Sequence, residues 1–202
     1  MLYSQNIMKL NIVIFFVSES SGSDPAHSHW CQVAYWELSK RVGQLLPVMP
    51  SSIDIFQSIA QGCGLSLDAL HKTHTAQTQA VGAVRTKIGL GITLSYEGDL
   101  VWLHNRSQRD VFVSSYYLNL DHSNSTWKVC KVQPDQCVVI YDFVTMSKRV
   151  LGDESALSEG PSDPHSILLS FVKGWSGSYS RQSVLSCECW LEILINKNKA
   201  NR

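Results

Sequence analysis

The chain has 202 residues, of which 44% are hydrophobic and 17% are charged. These values fit one folded domain and exclude disorder for most of the chain. Lysine plus arginine and aspartate plus glutamate both number 17, so the formal net charge is zero, which argues against a dedicated nucleic-acid binder.

The N-terminal segment contains the longest apolar run, residues 10–17. This run is too short to span a bilayer, which takes about 20 residues, so we expect no membrane span. It could form the core of a secretory signal peptide. Two glycosylation sequons, which begin at Asn105 and Asn124, would suit a secreted chain. A secreted β-sandwich binding protein is therefore one hypothesis.

Short segments rich in β-branched and aromatic residues predict strands along most of the chain, and turn residues separate many of them. They are residues 30–38, 53–56, 91–96, 100–104, 111–118, 127–132, 137–143, 167–173 and 184–195. The tripeptide Glu97-Gly98-Asp99 predicts a tight hairpin between two of them. This pattern predicts a mostly β fold, a two-sheet β-sandwich.

The last predicted strand, residues 184–195, has the most regular alternation. Apolar side chains occupy every second position, at Leu185, Cys187, Cys189, Leu191, Ile193 and Ile195. Strict period two predicts one buried face and one wet face. We therefore predict that both cysteines are buried, reduced thiols on the core face of this strand, because free cysteine behaves as a small hydrophobe.

One segment breaks the β pattern. Residues 75–88 place Ala76, Ala80, Val84 and Ile88 at steps of four, which predicts a single amphipathic helix packed on one end of the sandwich, with Gly89 as its stop. The sequence Gly89-Leu-Gly91 is half of a dinucleotide fingerprint, but a turn with positive φ explains it better. Residues 147–164 predict a loop, with a short helix around residues 143–151.

The histidines and cysteines give no strong metal or catalytic signature. His27-x-His29-x-Cys31 and His71-x-x-His74 could supply ligands, but their spacings match no strong zinc motif, which favours exposed loop histidines. No nucleophile elbow and no phosphate loop occurs. We therefore expect no enzyme, no catalytic residue, no metal site and no cofactor.

A loop between the last two predicted strands carries the most informative side chains. It places Lys173 and Arg181 beside Trp175 and Tyr179, and Gly174 allows a sharp bend. The loop could be a solvated hairpin with a cation–π contact. It could equally be an anion-recognition loop, in which lysine and arginine bind phosphate.

Several motifs together resemble the C-terminal Mad-homology domain of Smad proteins. The segments HWCQVAYWE, VRTKIGLGI, VCKV, SFVKGW, YSRQ and CWLE occur in the family's order. We assign residues 29–196 to this domain, residues 1–28 to an N-terminal extension that is disordered or an alternative start, and residues 197–202 to a short tail. The resemblance implies a Smad/FHA-like sandwich with a loop-helix region at one end and a reduced helical bundle at the other.

The residues in these motifs, and the few residues after the last predicted strand, resemble those of the inhibitory Smads. The tail from Asn196 to Arg202 contains no serine or threonine, so we expect no receptor kinase to phosphorylate it. The resemblance implies an adaptor in the cytoplasm and nucleus that antagonises signalling by the TGF-β and BMP superfamily. A common-mediator-type Smad is the alternative within the family, although the missing DNA-binding domain counts against it and implies no direct DNA binding.

The resemblance also implies partners and site residues. The partners would be activated type I serine/threonine kinase receptors, receptor-regulated and common-mediator Smads, and, as an open question, ubiquitin ligases. The loop of residues 173–181 would read phosphoserine. We predict that its two cations, Lys173 and Arg181, converge with a third cation, Lys131, on one surface, with Arg85 and Lys87 nearby.

Overall fold

The computed structural model describes residues 29–58, 64–71, 78–120, 127–152 and 163–197. Within these ranges the chain forms eleven strands and three α-helices. The strands are β1 (Cys31–Glu37), β2 (Lys40–Val48), β3 (Ser52–Phe56), β4 (Gly64–Ser66), β5 (Ile92–Glu97), β6 (Leu100–Asn105), β7 (Val111–Ser115), β8 (Cys130–Val132), β9 (Cys137–Asp142), β10 (Ser166–Phe171) and β11 (Trp190–Ile195). The helices are α1 (Leu67–His71), α2 (Gln79–Arg85) and α3 (Phe143–Gly152).

The strands form two sheets, so the predicted two-sheet β-sandwich is confirmed. The first sheet has the order β2-β1-β11-β10-β7-β8 and the second has the order β4-β3-β5-β6-β9. The main core lies between them and takes one side chain from every second position of the central strands. It includes Val33, Tyr35, Ile55, Ile92, Leu94, Leu103, Val113, Leu169, Leu191 and Ile193.

Helices lie at both ends of the sandwich. Helix α2 precedes β5 at the end where that strand begins. Helix α3 lies at the opposite end, because the Phe143 N–H donates to the Asp99 carbonyl oxygen in the β5–β6 hairpin, 2.9 Å away. This confirms the short helix predicted around residues 143–151. Residues 153–162 lie outside the described residues, and no described helix is long and apolar enough to cross a membrane.

The predicted turns are confirmed where glycine is needed. Glu97 pairs with Leu100 across the β5–β6 hairpin, and Gly98 has a φ of 61°. Gly89 and Gly91 have φ values of 57° and 64°, so they form the positive-φ turn that the sequence predicts. A Cβ atom at Gly91 would also lie 1.9 Å from the carbonyl oxygen of Ile55, which leaves no room for a side chain.

The predicted helix over residues 75–88 is shorter in the structure. Helix α2 begins after Thr78, whose hydroxyl accepts from the Val81 N–H at 3.3 Å, and it ends at Arg85. Residues 72–77 lie outside the described residues. Helix α1 was not predicted, so the expectation of a single helix at this end was wrong. Its five residues are too few to show a helical period.

The last strand is also shorter than predicted. Residues 184–186 form a 3-10 turn, β11 begins only at Trp190, and Leu185 is 50% exposed instead of buried. The apolar alternation in residues 184–189 therefore does not belong to one strand: Val184 and Cys187 pack in a different hydrophobic cluster from Cys189. From Cys189 to Ile195 the predicted alternation holds, with the odd-numbered side chains in the main core.

Two strands were not predicted, and β7 and β8 are each three residues shorter than their predicted segments. Strand β2 lies at the edge of the first sheet, where charged residues and Pro47 are tolerated, and only Val42 and Val48 are buried. Strand β4 has only three residues. Strand β7 stops at Ser115, and residues 117–119 form a 3-10 turn.

The sequon at Asn105 cannot carry a glycan in the folded protein. Asn105 is fully buried, and its side-chain amide donates to the carbonyl oxygens of Arg109 and Val132 at 2.8 and 2.9 Å. Both amide hydrogens are therefore used inside the fold. The second sequon, at Asn124, lies outside the described residues, as does the apolar run of residues 10–17.

Candidate functional site

A second hydrophobic cluster lies on the outer face of the six-stranded sheet. Trp190 and Phe112 belong to it, whereas their neighbours in the strands, Leu191 and Val111, belong to the main core. Since adjacent residues of a strand point to opposite faces, this cluster is on the solvent side of the sheet. We call it the outer cluster; its buried members are Phe112, Trp175, Val184, Cys187 and Trp190.

The loop that follows β10 starts with a strained turn. Val172 has a φ of 66°, which a β-branched residue rarely adopts, and the Lys173 N–H donates to the Phe171 carbonyl oxygen at 2.7 Å. Lys173 is half-buried and forms no salt bridge with any residue in the described ranges. Backbone strain of this kind concentrates at functional sites, so the strained turn marks this loop as a candidate site.

Aromatic packing fixes the middle of the loop. The Tyr179 ring meets the Phe112 ring edge to face, with centroids 5.5 Å apart, and Trp175 is 7% exposed in the outer cluster. Gly174 lies under the tyrosine: a Cβ atom there would be 2.7 Å from two ring carbons of Tyr179. Gly174, Trp175 and Tyr179 therefore shape the loop by packing.

Arg181 closes the loop. Its carbonyl oxygen accepts from the Ser176 N–H at 2.8 Å, and its Nε donates to the Ser186 carbonyl oxygen at 3.2 Å. Its Nη2 lies 2.8 Å from Oε1 of Glu188. Arg181 is therefore a structural link as well as a candidate ligand, a role that the sequence did not reveal.

Lys131 reaches the same face from β8. It pairs with Phe112 across β7 and β8, so the two side chains share the outer face of the sheet. The Lys131 ammonium lies 2.9 Å from Oδ2 of Asp110, and the Asp110 carbonyl oxygen accepts from the Val172 N–H at 3.0 Å. Asp110 therefore joins Lys131 to the start of the loop at Lys173.

Arg85 belongs to a different ion-pair network. It is 8% exposed; its Nη1 lies 2.7 Å from Oε1 of Glu37, and its Nε lies 2.9 Å from Oδ1 of Asp68. His71 adds a contact of 3.3 Å to Glu37. Two carboxylates already hold the Arg85 guanidinium, so an external phosphate would have to compete with both, and the part of Arg85 in phosphoserine binding stays a prediction. Lys87 is exposed after helix α2.

The structure thus brings Lys131, Lys173 and Arg181 to the loop around the outer cluster, but two carboxylates come with them. Asp110 and Glu188 are the residues that the sequence analysis missed. They are 21 residues from Lys131 and 7 from Arg181, respectively. No sequence spacing marks a pair formed between different strands or across a loop. The joint convergence of the three cations on a ligand stays a prediction.

The two cysteines of the last segment are both fully buried with free thiols, as predicted. The expectation that they share one face was wrong: Cys187 belongs to the outer cluster and Cys189 to the main core. Burial raises the pKa of the Cys187 thiol and raises that of Cys189 to about 12. Rapid labelling of either thiol in the native protein would contradict this burial.

The histidine patterns do not assemble into a metal site in the described ranges. Those ranges contain no group of three His, Cys, Asp or Glu side chains that could hold a metal ion. Cys31 is fully buried in β1, and His71 contacts Glu37. His27 and His74 lie outside the described residues.

Comparison with known proteins gives consistent matches over most of the chain. A family model described as the MH2 domain matches residues 28–196. The chain is 42% identical over 184 residues to "Mothers against decapentaplegic homolog 6" from Gallus gallus, covering 90% of this chain and 42% of that protein. It is 40% identical over 170 residues to "Mothers against decapentaplegic homolog 7" from Homo sapiens, covering 84% and 39%.

Both curated relatives are inhibitory Smads, so the resemblance to that branch is confirmed. The chain spans about two fifths of their length. Among solved structures, the chain is similar to one described as "Crystal Structure of STAT2 in complex with IRF9", with a TM-score of 0.58 and 8% identity over 87% of this chain and 96% of that chain. At that identity the likeness shows the fold alone.

Proposed function

The chain belongs to the MH2 domain family, and from this premise we propose that it is an inhibitory Smad adaptor. It antagonises signalling by the TGF-β and BMP superfamily by occupying activated type I receptors or activated Smads. The binding element is the loop of residues 173–181 together with Lys131, and the ligand is a phosphoserine segment. The adaptor acts in the cytoplasm and nucleus.

The observation that carries this proposal is the state of Lys173. It follows a strained turn, it is half-buried, and no described carboxylate pairs with it. A lysine ammonium without an internal partner is available to an external anion. The strained backbone at Val172 also supports the proposal. A fold retains such a turn where the turn positions a functional group, and here the next residue is Lys173.

The charge balance of the loop favours a strongly charged ligand. Lys131 and Arg181 are each paired with a carboxylate, so the three cations of the loop exceed the two acids by one. Phosphoserine carries about −1.5 to −2 charge and three acceptor oxygens, which suits competition with single carboxylates. A weakly charged ligand gains less from this arrangement.

The proposed inhibition works by occupancy and needs no chemical step. A surface that binds the phosphorylated segment of a receptor, or of a receptor-regulated or common-mediator Smad, blocks that segment for other adaptors. Recruitment of a ubiquitin ligase would add a second route, which depends on residues beyond the loop.

The test is a titration of the full chain with a phosphorylated type I receptor segment and with its unphosphorylated form. We expect Lys173→Ala to weaken binding of the phosphorylated form about ten- to hundredfold, the effect of one charge-assisted hydrogen bond. The melting temperature should stay unchanged. Lys148→Ala, an exposed lysine on α3 at the other end of the sandwich, is the matched control. Equal affinity of wild type for the two forms of the segment would refute the proposal.

A further inference from the structure

Glu188 differs from the other charged groups near the loop because one of its two carboxylate oxygens is buried and has no hydrogen-bond donor in the described part of the chain. Its side chain is only 12% exposed, and Oε1 binds Arg181 at 2.8 Å. Its other oxygen, Oε2, is buried and has no hydrogen-bond partner in the described part of the chain. A buried carboxylate oxygen without a donor is costly, so the closed Arg181–Glu188 pair is a compromise.

The two partners differ in how deeply their neighbours in the chain are buried. Glu188 stands between Cys187 and Cys189, which are both fully buried but in different clusters. The Cys187 carbonyl oxygen accepts from the Leu38 N–H at 3.2 Å, which ties this segment to the β1–β2 hairpin. Arg181, in contrast, is flanked by two exposed residues, Ser180 and Gln182.

The Ser176 N–H holds the Arg181 backbone, so the part that can turn is its long side chain, which is 25% exposed, whereas the short Glu188 side chain stays with its segment. When the guanidinium turns toward an external phosphate, the carboxylate stays on its fixed segment and loses its partner. The two anions therefore compete for one cation. Phosphate offers more charge and more acceptor oxygens than a carboxylate that binds through one oxygen.

From these observations we infer that Glu188 is an internal competitor that sets the affinity of the loop for its phosphorylated ligand. The inference rests on the proposed function, because it assigns the regulation of that same loop. Glu188 is then a specificity-determining residue. A singly charged ligand competes poorly with it for Arg181, whereas a phosphate dianion can displace it.

Asp110 is the natural comparison. It also neutralises a cation of the loop, but its side chain is 34% exposed and its partner Lys131 is 45% exposed. Water screens exposed pairs, which contribute little. Removal of the Asp110 charge should therefore change phosphate binding less than removal of the Glu188 charge.

The experiment measures binding of a short glycine-serine peptide with two phosphoserines, and of the same peptide without phosphate, to the full chain by calorimetry. Glu188→Gln keeps the size of the side chain and its hydrogen bond to Arg181 but removes the charge. We expect it to raise the affinity for the phosphorylated peptide about two- to tenfold. Asp110→Asn should raise it less.

Two further variants separate competition from a general charge effect. Glu192→Gln changes the net charge equally at another partly buried acid, on β11, and should leave the affinity unchanged. In an Arg181→Ala background, Glu188→Gln should raise the affinity less, because only the unpaired charge of Glu188 then opposes the phosphate and no longer its pairing with Arg181. An equal or larger gain in that background, or an equal gain in Glu192→Gln, would overturn the inference. Melting curves verify that each variant is folded.

The outcomes distinguish the inference from the proposed function. If wild type binds the phosphorylated peptide and Glu188→Gln binds it equally, the inference is wrong and the proposed function stands. If only Glu188→Gln binds, the inference stands and phosphoserine reading by the wild-type chain fails. Binding by neither protein overturns both.

Discussion

Two arginines in this molecule bind carboxylates in very different surroundings. Arg85 is held by Glu37 and Asp68, and the side chains of Arg85 and Glu37 are 9% and 8% exposed. Arg181 is held by Glu188 on a loop, and its side chain is 25% exposed. The buried network joins β1, α1 and α2, whereas the loop pair joins only two turns of one segment.

The difference predicts which ion pair is structural and which can be exchanged. Breaking a buried pair leaves an uncompensated charge inside the protein, so the partners stay together. In the loop pair Glu188 is 12% exposed but Arg181 is 25% exposed, so an external anion can reach the guanidinium and replace its partner. Under the proposed function, the same residue type serves the fold at position 85 and ligand binding at position 181.

The largest expected effect tests the buried side of this comparison. Arg85→Met leaves Glu37 and Asp68 without their cation, so we expect the free energy of unfolding to fall by about 3–5 kcal/mol. Urea unfolding at neutral pH measures the loss. Lys87→Met removes an exposed cation two residues away and should change the stability by less than about 0.5 kcal/mol. Similar unfolding midpoints for the two variants would contradict the structural role of Arg85.

An intermediate effect is expected where the loop packs on the outer cluster. Gly174→Ala places a Cβ atom 2.7 Å from the Tyr179 ring and 3.0 Å from Cδ1 of Phe112. Such overpacking costs about 1–3 kcal/mol and should displace the tyrosine. Thermal unfolding and the tyrosine signals in an NMR spectrum report both changes.

Gly177→Ala is the matched control, because a Cβ atom there would meet nothing within 4 Å. If both alanine variants are as stable as wild type, the loop is looser than the contact between Gly174 and Tyr179 implies.

The smallest expected change in stability tests the exchangeable pair. Arg181→Ala removes one ion pair and the bond to the Ser186 carbonyl oxygen, and it leaves the Glu188 carboxylate without its partner, so it should cost about 1–2 kcal/mol in stability. Its main effect should be on ligand binding, with about tenfold weaker affinity for a phosphorylated receptor segment. Chemical denaturation and a binding titration on the same preparation give both numbers.

A large loss of stability with unchanged affinity would reverse the assignment, because Arg181 would then resemble Arg85. Arg181→Lys separates the two effects further. Lysine keeps the charge that binds the ligand but cannot make the planar contacts of arginine to Glu188 and Ser186. The stability should therefore fall, as in Arg181→Ala, while the affinity falls less.

Local patterns in the sequence predicted much of the fold. Alternation located most central strands, and paired glycines located the turn at Gly89 and Gly91, because these signals depend on neighbouring residues. The same reasoning failed for residues 184–189, where Leu185 is exposed and the two cysteines pack in different clusters, and for the edge strand β2, where few side chains are buried. Alternation alone does not say which partner covers each side chain.

By itself, the sequence determined the sandwich, the resemblance to the MH2 domain and the loop that carries Lys173 and Arg181, because each of these depends on a pattern of neighbouring residues in the chain. Only the tertiary structure decided the state of each cation. It placed Glu37 against Arg85 across 48 residues, Asp110 against Lys131, and Glu188 against Arg181. The physical reason is that the energy of a charge depends on burial and on the nearest opposite charge, and both are set by how distant strands and helices pack.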